Sequence, residues 1–244
     1  MEQIMKILRK IEEKENVEIL YAVESGSRIY GFANEDSDYD VRFIYRRKVE
    51  DYLQLIDKVD DSISYMSTDR LYDVVGWDIS KALKLHYKSN PNLREWILSP
   101  IKYIDYDGLF DGLAPFDLSR LYGHYYSLSL RHFKKYSSRS VEDFRHKKYL
   151  YIFRSIMCCQ YLLKYAKEPP ININDLIDEL KPEIPIKKLI DYEEITQDEL
   201  DYYNNTITRL HKKLKENYNL EKSMKNKYNK EYNKKFLEII NYNS

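Results

Sequence analysis

Every stretch of this chain that masses or alternates β-branched and aromatic residues lies before about residue 112. Beyond it, apolar residues recur only at helical spacing. That asymmetry constrains the fold more than any other feature. The first part must form a sheet that helices cover, and the second a helical body with its own apolar interior. The boundary falls near residue 112, which gives an α+β domain over 1–112 and a helical domain over 113–244.

The elements follow from period and punctuation. Ile4, Ile7, Leu8 and Ile11 predict an amphipathic helix over 2–14. "VEILYAV" (17–23) reads as a buried strand and "SDYDVRFIY" (37–45) as an alternating one. Asp38, Asp40, Arg42 and Ile44 fall on one side of it, and Tyr39, Val41, Phe43 and Tyr45 on the other. A weak strand near 62–66 and a stronger one at 72–79 precede a helix over 80–88. Asn90 and Pro91 suit the cap and first position of another helix, running through Trp96. Further on, helices are predicted over 118–136 and 144–166, the second with Tyr149, Ile152, Phe153, Ile156, Cys159 and Leu163 on its stripe and ended by Pro169-Pro170. "TQDE" (196–199) is a capping-box sequence opening a helix that turns Leu200, Tyr203, Ile207, Leu210 and Leu214 inward. The Lys- and Asn-rich final stretch is expected to be only partly ordered.

With 33% charged and 43% hydrophobic residues, the composition is that of a globular chain, and no apolar run approaches the roughly 20 residues that cross a bilayer. The first residues lack the apolar core and cleavage site of a signal peptide, so a cytoplasmic location and no membrane partner are expected. Net charge is zero but uneven. Nine Lys/Arg stand against two acids over 124–164, and ten acids against three Lys over 174–201. The basic run suits phosphates, although a solvated helix face has the same composition. The adjacent Cys158 and Cys159 have no metal-ligand or disulfide spacing and read as small buried residues.

"SGSRIYGFANEDSDYDVRFIY" (25–45) concentrates the chemistry. Residues two apart on a strand share a face, about 7 Å apart, so Asp38 and Asp40 converge on one spot. Two such carboxylates at about 4 Å repel by roughly 4 kcal/mol at an effective dielectric of 20, a cost that a hard cation such as Mg²⁺ offsets. A third acid would complete a two-metal site for phosphoryl chemistry. Asp78, between Trp77 and Ile79 at the end of a strand, is the candidate, because an acid so flanked needs a reason. Gly26 permits close backbone approach, and Ser27 offers a hydroxyl and an amide to phosphate oxygens. A lone Gly-Ser or Asp-x-Asp is usually loop or decoration. Their conjunction eleven residues apart, before a later apolar-flanked acid, is more specific.

"GSRIYGFANEDSDYDVRFIY" followed by "GWDISKALKLHYKSNPNLREWILSP" resembles the RlaP/YcgL-type nucleotidyltransferases of the DNA polymerase β superfamily. The likeness runs from about Tyr21 to Tyr103 and returns at "KKYLYIFR" (147–154); from Lys167 onward it is not firm. The superfamily pattern is Gly-Ser, then Asp-x-Asp, then a hydrophobic-Asp-hydrophobic strand, matched at Gly26, Ser27, Asp38, Asp40 and Asp78. The resemblance implies a small mixed sheet flanked by helices and then an all-helical domain. It also implies transfer of a nucleotide from an NTP, ATP first among them, dependent on Mg²⁺ or Mn²⁺, with RNA as acceptor. A protein-adenylylating enzyme of antitoxin-like type and a non-catalytic nucleotide- or RNA-binding module are the alternatives on the same fold.

Around these residues, Arg28, Arg42 and Lys81 are candidate phosphate ligands; a structural ion pair is the plainer role of Arg42, and a surface helix lysine that of Lys81. Glu24 could orient Ser27 or Arg28. Lys147, Lys148 and Arg154, in the second matching block, are expected to face the cleft and contact triphosphate or acceptor. Tyr149 on the apolar stripe reads as core, and the five His show no metal spacing. Which NTP is used, what accepts the nucleotide, how many are added and the oligomeric state are not encoded in these patterns.

Overall fold

A computed structural model describes residues 1–55, 60–218 and 229–241. The chain divides into two compact units, the first holding 1–116 and 229–241 of the described residues, the second 117–218.

In the first unit, helix α1 (Glu2–Glu15) leads into strand β1 (Glu18–Ser25) and the single turn α2 (Ser27–Tyr30). Strand β2 (Tyr39–Arg46), the turn α3 (Val49–Tyr52), β3 (Ser62–Met66) and β4 (Tyr72–Asp78) follow. Then come α4 (Ile79–Tyr87), α5 (Pro91–Ile97) and β5 (Lys102–Ile104). The strands form one mixed sheet in the order β3-β4-β2-β1-β5, with β2 and β4 parallel and the other pairs antiparallel. Fold class and mixed sheet are as expected. Strand β5, only three residues long, is too short to leave a periodic signal.

The period of two sorts the sheet's side chains onto two faces. One packs Val41, Phe43, Tyr45 and Val74 against Ile4, Ile7, Leu8 and Ile11 of α1. The other packs Val23 and Ile44 against Ile79, Ala82 and Leu83 of α4 and Leu93 and Trp96 of α5. Trp77 stacks on Trp96 with ring centroids 3.8 Å apart. Each fully buried aliphatic side chain contributes about 1.5–3 kcal/mol, so both covers are needed to hold the sheet. Gly76 is fixed by this packing: a β-carbon there would fall 2.2 Å from the ring of Phe43, its cross-strand partner.

The second unit is helical: α6 (Leu118–Tyr136), α7 (His146–Tyr165), α8 (Ile173–Leu180), α9 (Ile186–Ile190) and α10 (Gln197–Glu216). Helix α7 packs against the other four and is buried on nearly every side from Tyr149 to Cys159. A helix apolar all round is a core helix rather than a surface one, and Cys158 and Cys159 are wholly inside it. The capping box forms as read, Thr196 Oγ1 accepting from the Glu199 amide and the Glu199 carboxylate from the Thr196 amide. Helix α10 buries Thr206 and His211 as well as the expected Leu200, Tyr203, Ile207 and Leu214, while Leu210 is only half-buried.

The last element, α11 (Asn229–Ile239), departs from the expected 113–244 domain by returning to the first unit. Tyr232 Oη lies 2.8 Å from His86 Nδ1, Phe236 meets Tyr52 edge-on, and Ile239 and Ile240 enter the α4–α5 core. A few apolar residues seat this helix, and the surrounding Lys and Asn hide them from a composition-based reading. Residues 219–228 and 242–244, also in that final stretch, lie outside the described residues. Among the described residues, no helix is long and apolar enough to cross a membrane.

The buried His211 gives the second unit an acid-sensitive point. Its Nε2 lies 3.0 Å from Ser129 Oγ, and burial pushes its pKa down from 6.5 to about 4. The fold favours the neutral ring, so this contribution is complete above pH 6.5 and is lost as pH falls towards 4. A depression of that size corresponds to roughly 3 kcal/mol. Urea titrations at pH 7.5 and 4 should therefore show wild type losing about 3 kcal/mol more than His211→Gln.

Candidate active site

The site forms where β1 ends and β2 and β4 begin. Ser25 pairs with Asp40 across the β1–β2 ladder, and Gly26 leaves the strand at φ 65°, ψ −149°, a conformation open essentially to glycine alone. A β-carbon on Gly26 would lie 1.9 Å from Asp40 Oδ2, so the Asp40 carboxylate rests directly on the glycine. The turn and Asp40, one of the paired aspartates of the sequence, therefore do meet. Next to the glycine, Ser27 is 1% exposed and its Oγ is buried without a hydrogen-bond partner. A buried hydroxyl left unpaired costs about 1–3 kcal/mol, and an anion's oxygen would relieve that cost.

Glu24, just before the turn, is wholly buried. One carboxylate oxygen accepts from the Asp40 amide at 2.9 Å and the other from the Tyr103 hydroxyl. Burial raises its pKa, while those two hydrogen bonds oppose the rise. Ser99 Oγ donates to the Glu24 carbonyl at 2.7 Å, and the Glu24 amide to the Ile101 carbonyl at 3.0 Å. Glu24 thus joins β1, β2 and the strand carrying Tyr103 behind the site. Its sequence-based link to Arg28 is a weak one, 3.9 Å from Nε to the carboxylate.

Arg28 itself works on the backbone. Its Nε donates to the Asp38 carbonyl at 3.1 Å and its Nη2 to the Ser37 carbonyl at 2.6 Å. The guanidinium lies 3.8 Å from the centroid of the Tyr39 ring, which in turn stacks on Tyr72. Arg28, expected on phosphate, instead clamps the turn that delivers Asp38 to the start of β2.

The third acid requires a correction. The parallel β2–β4 register aligns Asp40 with Asp73 and Tyr45 with Asp78. Asp78 therefore lies five residues, about 17 Å, farther along the sheet. Its carboxylate caps α4 by accepting from the Ser80 amide at 2.8 Å and also accepts from the Tyr52 hydroxyl at 2.8 Å. That is the reason an acid sits between Trp77 and Ile79. Lys81, one turn into α4, shares this end of the sheet and pairs with Asp61 at 2.8 Å, so it too lies away from Asp38 and Asp40. The residue beside Asp40 is Asp73, which sequence reasoning passed over. Its Tyr-Asp-Val context fits hydrophobic-Asp-hydrophobic as well as Trp77-Asp78-Ile79 does, and its place at the start of a strand was the available signal.

Arg42 joins the acids. One guanidinium nitrogen, Nη2, donates to Asp40 Oδ1 at 2.7 Å and Asp73 Oδ2 at 2.8 Å. The other, Nη1, donates to the carbonyls of Asp73 at 2.8 Å and Val41 at 3.1 Å. Of the ion-pair and phosphate roles expected for Arg42, the first is realised. The donor chemistry fits a divalent cation: two carboxylates already converge on one cationic atom, and Asp38 stands two residues from Asp40.

Three expected ligands, Lys147, Lys148 and Arg154, belong to the second unit, where Lys147 is half-buried. Arg154 is 3% exposed and its Nε donates to the Ile171 carbonyl at 2.9 Å, so it is committed to that unit's core rather than offered to a phosphate. Lys148 is half-buried, with Nζ 4.8 Å from the centroid of the Tyr136 ring. Tyr149 is core, its hydroxyl donating to Asn204 Oδ1 at 2.7 Å.

A mixed sheet presenting a glycine–serine turn against an aspartate strand, with another aspartate alongside on a parallel strand, places this chain in the DNA polymerase β class. It belongs to the family described as RlaP, RNA repair pathway DNA polymerase beta family, whose model matches residues 1–241. Over 192 residues it is 38% identical to the uncharacterized protein YcgL of Bacillus subtilis (strain 168), a match covering 76% of this chain and 72% of that one. Membership supports nucleotidyltransferase activity in general.

Proposed function

We propose that the protein transfers a nucleotide from an NTP, ATP first among them, to a hydroxyl on RNA, with release of pyrophosphate. The observation that carries this reading is the contact between Gly26 and the Asp40 carboxylate, with Ser27 Oγ buried and unpaired beside it. A phosphate held by this turn would lie beside the acids.

Each residue has a role in the step. Gly26 lets a phosphate approach the backbone, and Ser27 Oγ donates to one of its oxygens. Asp38 and Asp40 would hold Mg²⁺ or Mn²⁺, with Asp73 kept beside Asp40 through Arg42; when bound, the ion neutralises charge on the phosphates and favours ionisation of the acceptor hydroxyl. The acceptor oxygen forms a bond to the α-phosphorus, the bond to the β-phosphate oxygen breaks, and the hydroxyl proton passes to a site carboxylate. Glu24 and Arg28 touch none of the reacting atoms; they fix Asp40 and Asp38 through their backbones.

The test is a screen of four α-labelled NTPs against an RNA pool and a cell lysate, with Asp40→Asn as control. Label should enter RNA with wild type and fall by at least about a hundredfold with the variant. Label in protein alone would replace the RNA acceptor by a protein one. Label that persists with Asp40→Asn would remove the site from the reaction.

A further inference from the structure

Arg42 is more firmly held than a surface ion pair would be. Its side chain is 16% exposed, and two of its four hydrogen bonds go to backbone carbonyls, which stay in place whatever the neighbouring carboxylates bind. Leaving the site would strand a largely buried guanidinium and unpair carbonyls in its own sheet. Nη2 meanwhile takes one oxygen from Asp40 and one from Asp73, the acids of adjacent parallel strands. A divalent cation drawn to those same carboxylates would face that fixed positive charge and be repelled by it. Among the described residues, no group of three His, Cys, Asp or Glu is gathered as a ready cation site.

Building on the nucleotidyltransferase reading above, we propose that Arg42 is a permanent cationic member of this site. It fills the place between Asp40 and Asp73 that the second ion of a two-metal centre would bridge. The protein then takes one divalent cation with its nucleotide, against Asp38 and Asp40. The guanidinium supplies the fixed second positive charge and keeps Asp73 aligned with Asp40. The proposal puts a one-ion site in place of the two-metal expectation drawn from the paired aspartates.

The experiment counts Mn²⁺. Wild type and Arg42→Met are saturated with a non-hydrolysable ATP analogue, and bound Mn²⁺ per nucleotide-loaded chain is read by electron paramagnetic resonance after equilibrium dialysis. Wild type should hold one ion, and Arg42→Met, with the place vacated and one positive charge fewer, should hold two. Two ions on wild type overturn the proposal without reference to the variant, so a failure of Arg42→Met to fold leaves it exposed to refutation. One ion on a folded Arg42→Met also overturns it, because Arg42 would not be what excludes the second. Transfer from α-labelled ATP is measured on the same wild-type sample. Two ions with transfer reject the single-ion site and leave the transferase standing. No bound Mn²⁺-nucleotide and no transfer reject the transferase reading and the proposal together.

Discussion

Replacing Asp73 by Asn should lower nucleotide transfer by at least about a hundredfold, towards a thousandfold, while Asp78→Asn leaves it within a few-fold of wild type. The two aspartates lie five residues apart on one strand, and the register separates their roles. Asp73 stands opposite Asp40 and shares Arg42 Nη2 with it. Asp78 stands opposite Tyr45, where its carboxylate serves the start of α4 and the Tyr52 hydroxyl. Asn keeps an oxygen for the cap, so Asp78→Asn should also fold well. Asp78→Ala is the stability counterpart: losing the cap costs about 1 kcal/mol, and an unpaired Tyr52 hydroxyl adds about 1–3 kcal/mol. Urea unfolding of Asp78→Ala should thus show a loss of roughly 2–4 kcal/mol, with transfer by the folded fraction retained. Inactive but folded Asp78→Asn alongside active Asp73→Asn would reverse the assignment.

Gly26→Ala should be nearly as damaging, for reasons of geometry alone. The backbone at φ 65°, ψ −149° costs a residue with a β-carbon about 1–3 kcal/mol. That carbon would also need the space of Asp40 Oδ2, 1.9 Å away, so the carboxylate must swing off the turn. Transfer should fall by at least about a hundredfold, since misplacement by an ångström at a reacting centre has that effect. Gly123→Ala is the contrast. Gly123 lies inside α6 with nothing within 4 Å of its added carbon, and the change should stabilise the chain by about 0.5–1 kcal/mol without touching transfer. Parallel unfolding and label-transfer measurements on the two variants separate the clash from the loss of a glycine as such.

What the sequence made legible was local. Alternation in 37–45, the Gly-Ser step and the Asn90-Pro91 start each carry their meaning within a few residues, and the structure realises them. What it hid depends on contacts distant along the chain. Nothing near Asp73 or Asp78 states which of them pairs with residue 40; the parallel register does, and it is set by partners about thirty residues away. Arg154 looks like a phosphate ligand within a basic stretch, yet its Nε serves a carbonyl seventeen residues on. Helix α11 is seated by Tyr232, Phe236 and Ile239, sparse apolar positions in a polar segment that composition marks as only partly ordered. Glu24 extends the strand read over 17–23, and the Tyr103 hydroxyl and the Asp40 amide explain how its carboxylate is buried there.

The account stands on the acids at the start of β2 and β4 forming one site with the Gly26–Ser27 turn. Anomalous diffraction from crystals grown with Mn²⁺ and a non-hydrolysable ATP analogue locates metal and phosphates independently of turnover. The account predicts a manganese peak against Asp38 and Asp40, with a phosphate oxygen in hydrogen-bonding reach of Ser27 Oγ. A manganese peak at Asp78, or phosphates bound beside Lys81 and away from Ser27, would contradict it.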